Sequence, residues 1–242
     1  MKFIENFLGG HTISETTEWV GGDLQEQYSE NVLNQPNNWY YKNKKITYSF
    51  NKYGHRCKDI EDIDLSNYIL VLGCSHTVGV GLELKKTFPY LIANELQCDY
   101  YNLSLSATGI DVIEYNLLTW LRRVNKSPKA IIIQWPDHTR FASYFPGHEN
   151  IVEKGAWTED IDNMNLIVNS EEVGFFNARK LLTLNLIKNI ATCPVISCIF
   201  SSQAVFDPYN LYLRRIDKAR DLTHAGIKSH KNWAKLLLQE LA

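Results

Sequence analysis

Residues Tyr68 to Gly81, Tyr-Ile-Leu-Val-Leu-Gly-Cys-Ser-His-Thr-Val-Gly-Val-Gly, constrain this chain more than any other stretch. Tyr68 to Leu72 run without a polar break, as a strand covered on both faces of a parallel sheet requires. Gly73 permits a tight turn, and the next side chains then emerge at the carboxyl edge of the sheet, where open α/β sheets place their sites. Ser75 is the candidate nucleophile on this reading. The alternative is a plain strand-to-loop turn, because a Gly-x-Ser alone marks both.

The pattern after Tyr68 alternates strand and helix. Thr87-Phe-Pro89 opens a helix with Thr87 as N-cap and Leu91, Ile92 and Leu96 on its buried face. Asp99 to Leu103 reads as a second strand, followed by the small-residue loop Ser104 to Gly109. Ile110, Ile113, Leu117, Leu118, Leu121 and Val124 then recur at helical spacing. Ala130 to Gln134 is a third strand. The segment from Trp135 to about Ser170 reads as a long irregular loop or lid, rich in aromatic residues between Phe141 and Trp157. A helix over Glu171 to Ile190, a strand over Pro194 to Phe200, a short fifth strand at Leu211 to Leu213 and an amphipathic helix from Ile227 to Leu241 complete the order. Such alternation predicts a three-layer α/β/α sandwich around a parallel sheet of about five strands.

Residues 1–66 differ in character, being polar and rich in Asn, Gln and Glu, with an aromatic cluster at Trp39, Tyr40 and Tyr41. They read as an N-terminal extension packing on a main domain of residues 67–242. Lys45 to Phe50 alternates as a strand or hairpin arm would. Asn51 to Arg56 reads as a surface turn, with Arg56 as a possible partner for an anion or carboxylate.

At 242 residues with a formal net charge of −2, the chain lacks the basic excess of a general nucleic-acid binder. No apolar run approaches the roughly 20 residues of a membrane-spanning helix, and no signal peptide is read, so a cytoplasmic location is expected, with cellular and viral origin both open. The five cysteines are scattered, without metal-ligand spacing, and read as reduced thiols; neither metal nor other cofactor is expected. Oligomeric state is not legible.

Asp221-Leu-Thr-His224 stands just before the last helix. In a turn, Asp221 reaches one ring nitrogen of His224 and leaves the other to take a proton from a hydroxyl; a helix cap or surface turn is the alternative. Gly73-Cys-Ser75 after Ile-Leu-Val-Leu, Asn102-Leu-Ser-Leu-Ser-Ala107 after the second strand, and Asp221-Leu-Thr-His224-Ala-Gly before the final helix together resemble three of the four sequence blocks of the SGNH (GDSL-type) hydrolases, in the family's order. Asn51-x-x-Gly-His-Arg56 is similar to the lead-in of some members. The resemblance implies a flavodoxin-like sandwich, Ser75 as nucleophile, His224 as base and Asp221 as its partner. It also implies ester hydrolysis through an acyl-enzyme, with an oxyanion hole built from the nucleophile N–H, a second-block Gly N–H and a third-block Asn.

Three positions depart from the family. Cys74 replaces the acidic residue of Gly-Asp-Ser and reads as a buried thiol, an alternative nucleophile being the other reading. Ala107 stands where the second-block Gly would be, and its methyl group narrows the approach. Pro136-Asp-His-Thr139 replaces Gly-x-Asn-Asp, which leaves His138 or Arg140 as substitute oxyanion donors; the alternative is a loop salt-linked to Asp137. His76 is read as a substrate contact or an exposed residue, and His230 as a solvated or capping one.

The expected function is that of a serine esterase acting on a small acyl ester, with a carbohydrate O-acetyl ester as substrate. A weak or inactive relative that binds a glycan or a protein partner is the second reading, and acyl transfer the third.

Overall fold

The computed structural model describes residues 7–9, 14–136, 140–143, 152–154, 170–200 and 211–242, with the backbone path alone for 141–143, 152–154 and 170–177. Five strands form one parallel sheet: β3 (Tyr68–Leu72), β4 (Asp99–Asn102), β5 (Ile131–Trp135), β8 (Val195–Ile199) and β9 (Leu211–Tyr212). They lie in the order β4-β3-β5-β8-β9, the 2-1-3-4-5 arrangement of flavodoxin-like sheets. Register is continuous, with Val71 beside both Asn102 and Ile132, and Trp135 beside Ile199.

The unbroken apolar runs of β3 and β5 are explained by cover on both faces. Tyr68, Leu70, Leu72, Ile131 and Ile133 point to one side, where α4 (Ile110–Arg123) contributes Ile113, Leu117 and Trp120 and α5 (Ser170–Ile190) contributes Leu184 and Ile187. Ile69, Val71 and Ile132 point to the other, against Phe88 and Ile92 of α3 (Phe88–Glu95) and Trp233 and Leu237 of α6 (Ile227–Leu241). Each such buried side chain stabilises the fold by about 1.5 to 3 kcal/mol relative to exposure. The expected α/β/α sandwich is therefore observed, with strand ends within a residue or two of the sequence reading. No helix among the described residues is long and apolar enough to cross a membrane.

Several details differ. Thr87 precedes α3 without capping it through its side chain; its hydroxyl donates to the Leu84 carbonyl at 2.8 Å. The first N–H of α3 is taken instead by His230, whose Nδ1 accepts from Phe88 N at 3.0 Å. His230 is fully buried, so the solvated reading fails and capping occurs across the two helices. The segment after Trp135 holds an antiparallel pair, β6 (Phe141–Ser143) with β7 (Val152–Lys154), where an irregular loop was expected. Residues 137–139, 144–151 and 155–169, Trp157 among them, lie outside the described residues.

The polar N-terminal stretch forms β1 (Thr16–Thr17), α1 (Gln25–Asn34) and β2 (Tyr48–Ser49), with β1 and β2 paired antiparallel. Its rings pack on one another, Trp39 lying 6.2 Å from Tyr28 and 5.5 Å from Tyr41 between centroids. Arg56 is no surface-turn residue. It is 1% exposed, and its guanidinium donates to the carbonyls of Val78, Gly79, Thr47 and Leu82 at 2.7 to 3.2 Å, with the Tyr48 ring 4.3 Å away. Planar five-donor geometry suits a cluster of carbonyls that no ammonium could satisfy from one point.

Candidate active site

The carboxyl ends of β3 and β5 lie at the point where strand order reverses, and there the chain places Ser75, which is 7% exposed. After β3, Gly73 is packed so closely that a Cβ would fall 2.1 Å from Thr77 Oγ1, so only glycine fits the turn. Ser75 then opens the single-turn helix α2 (Ser75–Val78), whose first N–H groups have no acceptor within the helix. Gly79 ends it in the left-handed conformation at φ 78°.

The turn from Asp221 to His224 arrives from the other end of the chain. His224 Nε2 lies 2.8 Å from Ser75 Oγ, and His224 Nδ1 is bonded to Asp221 Oδ2. Asp221 also accepts from the His224 N–H, at 3.2 Å to Oδ1, and from the Thr223 hydroxyl at Oδ2. With Nδ1–H donating to the carboxylate, Nε2 is left as acceptor for the serine hydroxyl. Burial works to raise the Asp221 carboxyl, but the hydrogen bond and charge of His224, with the bonds from Thr223 and the His224 N–H, outweigh it and hold the carboxyl below its ordinary range. Such an arrangement can move a proton from the Ser75 hydroxyl to His224 as Oγ forms a bond to an acyl carbon.

Cys74 is buried and turned away from this site. Its thiol donates to Gln134 Oε1 at 3.1 Å, an oxygen that also accepts from Cys74 N at 3.4 Å and the Thr77 hydroxyl at 3.0 Å. Gln134 Nε2 donates to the Trp135 carbonyl at 2.7 Å, so one buried amide fastens the end of β5 to the serine turn. Asn102, at the end of β4, donates to the Thr77 carbonyl at 3.2 Å and accepts from Ser104 N at 3.2 Å. Neither Gln134 nor Thr223 was singled out from the sequence.

Ala107 has a left-handed backbone at φ 61°, the conformation that the family's glycine would adopt freely. His76 is 8% exposed, which removes the exposed reading. Its Nδ1 accepts from Ala225 N at 3.3 Å, and its ring lies 4.0 Å from Phe200 and 4.9 Å from His224 between centroids. Burial, followed by the charges of His224, His230, Arg140 and Arg215, holds the His76 imidazole well below its ordinary value, so it stays neutral. Arg140 is thus near enough to act on His76 through its charge. His138 lies outside the described residues.

No family model and no curated protein sequence matches this chain. Solved structures do. The chain is similar in structure to GDSL-type proteins and carbohydrate esterases. A G-D-S-L family lipolytic protein from Desulfitobacterium hafniense DCB-2 shares 10% identity over 73% of this chain and 99% of its own, at a TM-score of 0.46. A second, from Veillonella parvula DSM 2008, shares 11% over 71% of this chain and 96% of its own, at 0.45. A carbohydrate esterase family 2 enzyme with a carbohydrate-binding domain, from Corynascus thermopiles (Myceliophthora fergusii), shares 14% over 73% of this chain, at 0.44. This chain spans 65% of that esterase, under two-thirds of its length.

Proposed function

We propose that the chain is a serine esterase of the SGNH type. The observation that carries the proposal is the 2.8 Å approach of His224 Nε2 to Ser75 Oγ with Asp221 on the opposite ring nitrogen. In the first step Ser75 Oγ bonds to the acyl carbon, its proton passes to His224 Nε2, and the ester C–O bond breaks as that proton moves to the departing alkoxide. Water then attacks the acyl-enzyme, giving its proton to His224, and Ser75 leaves with that proton as the free acid forms. Asp221 keeps the imidazole in the required tautomer and balances its transient charge.

Negative charge on the acyl oxygen falls to the backbone N–H groups of Ser75 and Ala107, with Arg140 or His138 replacing the family's asparagine. His76 lines the base rather than replacing it. The Ala107 methyl group favours a short acyl chain such as acetyl, and the proposed alcohol component is a carbohydrate hydroxyl, so that the substrate is a carbohydrate O-acetyl ester. No cofactor enters these steps.

Labelling with a fluorophosphonate, followed by peptide mapping, tests the reading. Modification is expected at Ser75 and is lost in Ser75→Ala and His224→Ala. A folded wild-type protein that is not labelled overturns it and leaves the cleft as a binding site. Acetylated sugars and short-chain esters, assayed with and without an added sugar acceptor, then separate hydrolysis from acyl transfer.

A further inference from the structure

The turn Val20-Gly-Gly-Asp23 comes from the polar N-terminal stretch, at the other end of the chain from His224, yet it closes on that residue. The backbones of Val20 and Asp23 pair with each other at 2.9 and 3.3 Å, and Gly22 at the tip has φ +89°. A Cβ on Gly22 would lie 3.2 Å from His224 Cε1, the ring carbon between the two nitrogens. The imidazole, 15% exposed, is therefore bounded by Asp221 on Nδ1, Ser75 on Nε2, the His76 ring 4.9 Å away and the Gly22 turn beside Cε1.

The turn is fixed by a buried ion pair. Arg220 and Asp23 are each 1% exposed; Arg220 Nε lies 3.0 and 3.1 Å from the two carboxylate oxygens, and Nη2 lies 2.7 Å from Oδ2 and 2.9 Å from the Glu18 carbonyl. The guanidinium stands 4.2 Å from the Trp19 ring centre. Arg220 immediately precedes Asp221, and α1 holds both backbones: Asn31 Nδ2 donates to the Arg220 carbonyl at 3.2 Å and Gln27 Nε2 to the Asp221 carbonyl at 3.1 Å. The Asp23 carboxylate also accepts from the Tyr48 hydroxyl, which accepts the Gly81 N–H at 2.8 Å. Arg220 N in turn donates to the Gly81 carbonyl at 3.2 Å. One buried carboxylate thus ties the loop that follows Ser75 to the turn that carries His224.

We infer that Asp23, Gln27 and Arg220 are positioning residues that set the distance between Ser75 and His224, and that Gly22 limits the travel of the imidazole. The inference rests on reading Ser75 and His224 as nucleophile and base. None of the four makes or breaks a bond. Their action is geometric, and a displacement of about 1 Å between reacting groups costs on the order of 100-fold in rate. An ion pair that merely stabilises the fold would leave the site of a folded variant unchanged.

The test uses Gly22→Ala, Gln27→Ala and Asp23→Asn in the full chain. Gly22→Ala deletes no group of the ion pair but adds a methyl 3.2 Å from His224 Cε1 at a position of φ +89°, where an alanine strains the turn. Gln27→Ala removes a single side-chain bond that touches neither His224 nor Ser75 and leaves that turn unstrained. Inactivation by a fluorophosphonate is resolved into kinact and KI, and the Cε1–Hε1 cross-peak of His224 is followed by NMR. The expected result is a fall in kinact of about 10-fold to 100-fold for Gly22→Ala and Asp23→Asn and a few-fold for Gln27→Ala. KI stays within about twofold, since the positioning residues do not hold the acyl group. The His224 cross-peak is expected to move in each variant. Wild-type kinact and an unmoved cross-peak in folded Gln27→Ala and Gly22→Ala overturn the inference, whatever Asp23→Asn does. If wild-type Ser75 is not labelled, the esterase reading fails, and the cross-peak of Gln27→Ala alone decides whether these residues position His224.

Discussion

The backbone N–H of Phe88 donates to Nδ1 of His230 across 3.0 Å, joining the first residue of α3 to α6 over 142 positions of chain. The bond requires His230 to be neutral at Nδ1, and the ring is fully buried. Burial is the largest cause that pushes its imidazole down to about 3; the charge of Asp217 works the other way, and those of His224 and Arg56 add to the lowering.

Acid sensitivity follows. The unfolded chain takes up a proton at His230 as pH falls through the ordinary imidazole value near 6.5, whereas the folded chain takes it up only near 3. The unfolded state therefore binds more protons throughout that window, and stability is lost as pH falls, by about 1.4 kcal/mol per pH unit for such a group. His76, also shifted down, adds loss in the same window, whereas Asp221 adds its own only as pH falls below the ordinary carboxyl value near 3.8. Urea unfolding at pH 7, 6 and 5 is expected to show the decline. In His230→Asn, which keeps an acceptor near Phe88 N and has nothing to titrate, the slope falls by about 1.4 kcal/mol per unit below pH 6.

Ala107→Gly should stabilise the protein. A left-handed alanine costs about 1 to 2 kcal/mol, and the extra freedom of glycine in the unfolded chain returns part of it, for a net gain of about 0.5 to 1 kcal/mol. Loss of the methyl group is also expected to raise hydrolysis of butyryl relative to acetyl esters. Thermal unfolding and a chain-length series measure the two effects separately.

Arg56 donates to four carbonyls, of which that of Gly79 also accepts from Leu82 N at 3.1 Å. Arg56→Ala removes the guanidinium from all four, at a cost of about 3 to 5 kcal/mol, and Arg56→Lys recovers only part because one ammonium cannot span the fork. Equilibrium denaturation of both variants should rank them wild type, lysine, alanine. The same two changes loosen the backbone after α2 and slow labelling of Ser75.

Gln134→Leu removes the acceptor shared by Cys74 and Thr77. Three donors, the Cys74 thiol, the Cys74 N–H and the Thr77 hydroxyl, lose their acceptor in the interior, a loss of about 3 to 5 kcal/mol. A Cys74 thiol no longer held to Oε1 becomes reactive in the folded protein; alkylation of Cys74 faster than in wild type, read by mass spectrometry, is the expected outcome.

Much of this architecture was legible because the relevant signals are local. Tyr68 to Leu72 and Ile131 to Ile133 carry the strand pattern in consecutive residues, and Asp221 with His224 announces a turn within four positions. Ser75 and His224 were brought together only by topology, and their contact follows once the strands are ordered. What escaped was pairing at long range. Asp23, Gln27 and Arg220 sit in stretches whose polar composition reads as solvated, and nothing in a period of 2 or 3.6 reports a partner nearly 200 positions away. His230 is the exception, for it lies on the same helical stripe as Trp233 and Leu237, three and seven residues on, and its burial could have been read from that spacing. The Gly21-Gly22 pair was likewise a turn signal, although its contact with His224 was not.

The Asp23–Arg220 pair closes a loop of 197 positions, and the Gln27 bond to Asp221 one of 194. Contacts of such separation are slow to form, because the entropy of closing the loop is lost before the contact returns anything. Local helices and adjacent strands form ahead of them, so the Ser75 turn is in place before His224 is locked against it. A refolding time course should therefore recover far-ultraviolet circular dichroism first and capacity for Ser75 labelling last, the interval between them being the time the two ends of the chain take to meet.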